Sequence, residues 1–248
     1  MSSHRIGLLV PSSNTTMETE VPEILRRQSE LTGDQFTFHA SRMRMRHVEA
    51  SALAAMNADA GRAAVELADA QVEVMAYACL VAIMSQGNAA HQGIEADLTR
   101  TAAENGCAVD VVSSAGALVE GLNHLGARKV SIVTPYMKPL TALVAGYIEA
   151  EGIEVQDAVS LEVDDNPAVG RLDPARLPDI AAGPDTRDVD AVVLSACVQM
   201  PSLSAIPAAE QRLGLPIVTP AAATSWKILR TLGLVTTADG AGALLKKN

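Results

Sequence analysis

The sequence is poor in aromatic residues: of 248 residues, one is Trp, three are Tyr and two are Phe. Its core must therefore come from Leu, Val, Ala, Ile and Met. Cations are also short, with 19 Lys and Arg against 29 Asp and Glu, a formal charge of −10. That balance lacks the basic footprint of nonspecific nucleic-acid binding, so no nucleic-acid partner is expected. It also repels anions at long range, so an anionic ligand must be held by local donors: backbone N–H groups, amides and hydroxyls. Cysteine is scarce. Cys79, Cys107 and Cys197 are odd in number, widely separated and free of any C-x-x-C pair. This leaves out a zinc ribbon or thioredoxin motif and fits a reducing cytoplasm.

Long apolar runs are missing too. The uncharged stretch Val74–Met84 is too short to span a bilayer, and Ile6–Val10, stopped by Pro11, is too short for a secretory signal. No membrane association is expected. No G-x-G-x-x-G follows a strand, no Ser sits in a G-x-S-x-G elbow, and the five histidines (His4, His39, His47, His91, His124) lack metal-ligand spacing. Neither a metal nor a cofactor is expected.

What is present is a pair of short apolar runs, each ending in a cysteine. Val72–Ala78 leads into Cys79, and Asp190–Ser195 leads through Ala196 into Cys197. Both read as buried parallel strands. Ligands of open α/β sheets sit beyond the carboxyl ends of the strands, so both thiols fall where a site belongs. Other strands are expected at Arg5–Val10, Phe36–Ala40, Ala108–Val112, Lys129–Thr134, Val155–Leu161 and Pro216–Thr219. Thr15-x-x-Glu18 reads as a capping box opening a helix toward Gln28, with a loop over Glu30–Asp34. Further helices are expected over Ser51–Asp69, Glu95–Asn105, Gly116–Leu125, Leu140–Glu151, Ala205–Leu213 and Ala221–Leu232. The end, Lys246–Asn248, reads as frayed. Ser41-Arg42-Met43-Arg44-Met45-Arg46 would put three arginines on one strand face: a solvated face, or a cationic rim near an anion site.

The halves match in order. Ile6–Pro11 resembles Val130–Pro135, Val74–Cys79 resembles Ala191–Cys197, and Val111–Ala117 resembles Ile217–Ala223. The spacing from Pro11 to Cys79 is close to that from Pro135 to Cys197. Duplication with a pseudo-two-fold axis follows, and by that symmetry the last helix should return to the first half. The expected class is α/β: two pseudo-symmetric Rossmann-like lobes with parallel sheets. The N-terminal lobe would span 1–114 plus 220–248 and the C-terminal lobe 115–219, with the active site at their interface. Cys107 has no counterpart in the other half and reads as packing.

Several segments carry a family resemblance: Val10-Pro11-Ser12-Ser13-Asn14-x-Thr16-x-Glu18, Ser41-Arg42-Met43-Arg44-Met45, Tyr77-Ala78-Cys79-Leu80-Val81-Ala82, Val133-Thr134-Pro135-Tyr136-Met137, Asp165-Asn166 and Ser195-Ala196-Cys197-Val198-Gln199-Met200-Pro201. Together they resemble the aspartate/glutamate racemase superfamily and, within it, the maleate cis-trans isomerases. The resemblance implies cofactor-independent conversion of maleate to fumarate. It implies Cys79 and Cys197 as catalytic residues, Asn14, Tyr136 and Asn166 as substrate-binding residues, and a homodimer. Leu80, Val81 and Val198 stand where racemases of the superfamily carry polar groups, which favours a substrate without an amino group. A thiolate can add to an alkene carbon, let the resulting single bond turn, and leave again. Cys79 reads as that nucleophile, giving a succinyl-cysteine-type adduct; Cys197 reads as proton donor, proton acceptor or orienting thiol. The alternatives are an amino-acid racemase, an arylmalonate-type decarboxylase, or a non-enzymatic dicarboxylate-binding module.

Overall fold

The computed structural model describes residues 2–246. The first half runs β1 (Ser3–Pro11), α1 (Met17–Thr32), β2 (Gln35–Met43), α2 (Ala50–Ala58), α3 (Ala60–Asp69), β3 (Val74–Tyr77), α4 (Leu80–Met84), α5 (Ala90–Glu104), β4 (Val111–Ser113) and α6 (Ser114–His124). The second runs β5 (Lys129–Thr134), α7 (Lys138–Ala150), β6 (Glu154–Ser160), α8 (Asn166–Val169), α9 (Leu177–Ile180), β7 (Ala191–Val193), α10 (Ile206–Leu213), β8 (Ile217–Val218) and α11 (Pro220–Thr231).

The strands form two four-stranded sheets of matching order, β2-β1-β3-β4 and β6-β5-β7-β8, and every pairing is parallel. Parallel sheets need helices on both faces, which is why their inner strands read as unbroken apolar runs. All four residues of β3 and all three of β7 are buried, whereas the edge strands β2 and β6 carry exposed or half-buried positions. In each sheet the chain steps outward from the first strand to the second, then crosses back to the third. The ends of β1 and β3, and of β5 and β7, therefore flank a topological switch point, where a crevice opens. The last helix, α11, packs against α1, β3 and β4, and also against α6.

Several local expectations change. The capping box does not form: Thr16 caps α1 without a side-chain hydrogen bond, and Asn14 Oδ1 instead accepts the N–H groups of Thr16 and Met17, each at 3.0 Å. An Asx oxygen reaches the first orphan donors of a helix without help from position 18, and Glu18 pairs with Arg42. The loop expected at Glu30–Asp34 is helix to Thr32, closed by Gly33 in the left-handed region at φ 82°. The alanine-rich helix breaks at Asp59 into α2 and α3. Helix α5 starts at Ala90, before Glu95, and a short helix, α4, directly follows Cys79. Asn166 opens α8 although it precedes Pro167, a position biased toward extended backbone; Asp165 caps the helix by accepting the Ala168 N–H at 2.6 Å. Lys246 is tied down by Glu210 at 3.1 Å; Lys247 and Asn248 lie outside the described residues.

Candidate active site

The two cysteine turns leave their sheets in the same way. The Ala78 N–H donates to the Leu9 carbonyl at 2.8 Å, and the Ala196 N–H donates to the Val133 carbonyl at 2.7 Å. In each lobe the ladder ends on the alanine, so the cysteine is the first residue released from the sheet. Both thiols are free and buried, and both line one small cavity with Pro11, Asn14, Met45, Val48, Val81, Tyr136, Asn166, Val198 and Gln199. Asn14 follows β1, Cys79 follows β3, Tyr136 follows β5 and Cys197 follows β7. The four residues are thus what the two switch points deliver to one place.

The structure brings together Cys79, Cys197, Asn14, Tyr136, Asn166, Val81 and Val198. Leu80 is different: it is fully buried in α4 and is not among the cavity-lining residues. Met45, Val48 and Gln199 line the cavity without having been singled out as binding residues. Met45 had a signal in the Arg-Met alternation. Its side chain turns inward at 3% exposure, while Arg42, Arg44 and Arg46 are exposed. Arg42 acts on the site at one remove, donating to the Asn14 carbonyl at 2.6 Å and to Glu18 at 2.5 Å.

Gln199 joins three segments. Its Oε1 accepts the Thr15 N–H at 2.9 Å, and its Nε2 donates to the carbonyls of Ser13 and Asn166, each at 3.1 Å. Gly170 makes room for it: a Cβ there would lie 2.5 Å from Nε2. The Cys197 turn is further held by Asn14 Nδ2 donating to the Val198 carbonyl at 3.1 Å and by Thr16 Oγ1 donating to the Gln199 carbonyl at 2.6 Å. Ser195, at φ 62°, is a non-glycine residue in the left-handed region. Such strain is held only where the surroundings over-determine it. Here the Ser195 hydroxyl donates to the Cys197 and Met200 carbonyls at 3.0 and 3.1 Å.

No charged side chain lines the cavity among the described residues. What remains is neutral donors. The Asn14 amide has two N–H bonds, one spent on Val198, and the Asn166 amide spends one on Ser13 Oγ at 2.8 Å. Each keeps one for a ligand. Burial pushes the Cys79 thiol up to about 12; the Ala82 N–H, directed at its sulfur, opposes this and the nearby Cys197 adds to it. Burial also raises Cys197, opposed by the Tyr136 hydroxyl and the N–H groups of Gln199 and Met200. The Gln199 N–H lies 3.3 Å from Cys197 Sγ. Tyr136 is itself raised well above the usual phenol range, by burial first and by both sulfurs after it. Its O–H therefore stays a donor.

A doubled 2-1-3-4 sheet with a thiol beyond the third strand of each copy defines a class of two-lobed α/β protein. A sequence model of the arylmalonate decarboxylase family matches residues 6–245. A maleate isomerase of Alcaligenes faecalis is 55% identical over 246 residues, 99% of this chain and 97% of the relative. The structure superimposes on the Pseudomonas putida S16 maleate isomerase Iso, a cysteine-to-alanine variant with maleate, at TM-score 0.97, with 50% identity and 98% and 97% of the two chains covered. It also superimposes on a cysteine-to-serine variant of the Nocardia farcinica maleate cis-trans isomerase carrying a covalently bound succinylcysteine intermediate, at TM-score 0.96, 46% identity and complete coverage of both chains. The chain belongs to the maleate isomerases of this family.

Proposed function

We propose that the protein converts maleate to fumarate without a cofactor, through a succinyl adduct on Cys79, with Cys197 moving the proton. The observation that carries this reading is the pair of thiols lining one cavity without a charged group, in a chain whose relatives are maleate isomerases. Asn14, Asn166 and backbone N–H groups hold the two carboxylates. Val81 and Val198 form apolar walls that leave an amino group unsatisfied, which disfavours racemisation.

In the reacting state Cys79 is a thiolate and Cys197 a thiol. The Cys79 sulfur bonds to C2, the π electrons pass toward the carboxylate on C3, and Cys197 protonates C3. The C2–C3 single bond then turns. Cys197 removes a proton from C3, the double bond re-forms, and the C2–S bond breaks with its electrons returning to Cys79. Nothing is consumed. The cavity as it stands has room for about one water, so entry of a four-carbon acid needs its wall to move. Met45 and Val48, on the segment between β2 and α2 with no regular structure, form the part most easily displaced.

The division into lobes 1–114 plus 220–248 and 115–219 belongs to this reading, supported by the packing of α11 on α1, β3 and β4. So do a homodimer and a cytoplasmic location; among the described residues no helix is long and apolar enough to cross a membrane. The test is proton NMR of maleate with the folded, reduced protein and no additive. Fumarate is expected. No fumarate, or deuterium exchange into aspartate or glutamate instead, overturns the reading.

A further inference from the structure

Glu20 is the one buried acidic residue among those described. It lies near the start of α1, in the first half of the chain. Its partners lie in the second: Oε1 accepts the N–H groups of Ser202 and Leu203 at 2.5 and 2.7 Å, and Oε2 accepts the Ser202 hydroxyl at 3.2 Å. Ser202 and Leu203 open the 3-10 turn that runs into α10, so the carboxylate caps a helical segment of the other half. Burying a carboxylate is costly unless donors satisfy it. Every recorded contact here is a donation to it, and these donors oppose the upward push of burial on its carboxyl group.

The position of these donors gives the contact its meaning. Ser202 is the back end of the turn that begins at Cys197. The front end is fixed by Ala196 on Val133, and the middle by Asn14 and Thr16 on the carbonyls of Val198 and Gln199. Glu20 supplies the anchor at the back end, so one stretch of the first half, 14–20, grips the second cysteine turn along its length. We propose that Glu20 is a positioning residue that holds the Cys197 turn from across the cleft, keeping Cys197 Sγ at the cavity shared with Cys79 and the N–H of Gln199 on that sulfur. The inference deepens the isomerase reading and rests on it.

Two variants of the full-length protein separate reach from charge. Glu20→Gln keeps an oxygen at the same reach and loses the charge; Glu20→Asp keeps the charge and withdraws it by one methylene. With maleate, Glu20→Gln is expected to hold kcat within about threefold. Glu20→Asp is expected to lose about 10- to 100-fold in kcat, the scale of an ångström-level misplacement, with KM nearly unchanged and the alkaline limb of the pH profile displaced. A second readout needs no turnover. In a Cys79→Ser background, the iodoacetamide alkylation rate of Cys197, followed by mass spectrometry, should change several-fold with Glu20→Asp and not with Glu20→Gln. Unchanged kcat and alkylation in Glu20→Asp, with only a lower melting temperature, make Glu20 a plain stability contact and overturn the proposal. Damage by Glu20→Gln equal to or greater than that by Glu20→Asp overturns it too, because reach is then not what the residue supplies. A wild-type protein inert toward maleate counts against the isomerase reading alone, and the alkylation comparison still decides the Glu20 proposal.

Discussion

The two cysteine turns begin alike and then diverge. After Cys79 the chain enters α4 at once, and all five residues of that helix, Leu80–Met84, are buried and apolar. The Cys79 sulfur has one backbone donor opposing its burial. After Cys197 the chain takes an irregular path through Val198–Pro201, opened by the strained Ser195. The Cys197 sulfur has three donors: the Tyr136 hydroxyl and the N–H groups of Gln199 and Met200. A sulfur in apolar surroundings is poorly solvated as a thiolate and so reactive toward carbon. A sulfur ringed by donors tolerates gaining and losing a proton. The two halves present equivalent thiols, and in the proposed mechanism these different surroundings suit them to different tasks.

The sharpest way to break this comparison is to remove one sulfur. Cys79→Ala should abolish turnover, by at least about 10⁴-fold, since a nucleophile has no substitute; residual activity within about tenfold of wild type would transfer the nucleophile's task elsewhere. A graded test uses pH. Because burial raises the Cys79 thiol to about 12, little thiolate exists at neutral pH in the free enzyme and more forms as pH rises. Its alkylation rate in the ligand-free protein should grow about tenfold per unit from pH 7 to 9. A plateau below pH 8 would mean that donors outweigh burial. The smallest effect concerns the other thiol. Tyr136→Phe removes a donor that lowers Cys197, so kcat should fall about tenfold, the worth of a hydrogen bond to an ionised group, and the pH optimum should move upward. An unchanged profile would show that Tyr136 only fills space.

The sequence made the strand ends legible because buried parallel strands are written as short apolar runs. Val74–Tyr77 and Ala191–Val193 could be found from composition, and with them both thiols. The matching of the two halves was legible as well, through repeated Pro and Cys positions; the strand order within each sheet was not. What could not be read was anything set by contact between the halves. Asn14, expected among the substrate-binding residues, is also a helix cap and a link to Val198. Gln199 and Glu20 bond to segments more than 180 positions away in the chain, and no local pattern marks such a partner. Leu80 stood in a motif beside Cys79, yet helix α4 turns it away from the cavity, because successive helical residues cannot all face one side.

The claim that the two thiols have distinct tasks is tested most directly by mass spectrometry of a Cys197→Ser variant incubated with maleate. With proton transfer impaired by about 10²- to 10⁴-fold and the nucleophile intact, the account predicts a stable adduct of one maleic acid, mapped by digestion to Cys79. An adduct mapped to another residue, or fumarate formed at the wild-type rate, would contradict it.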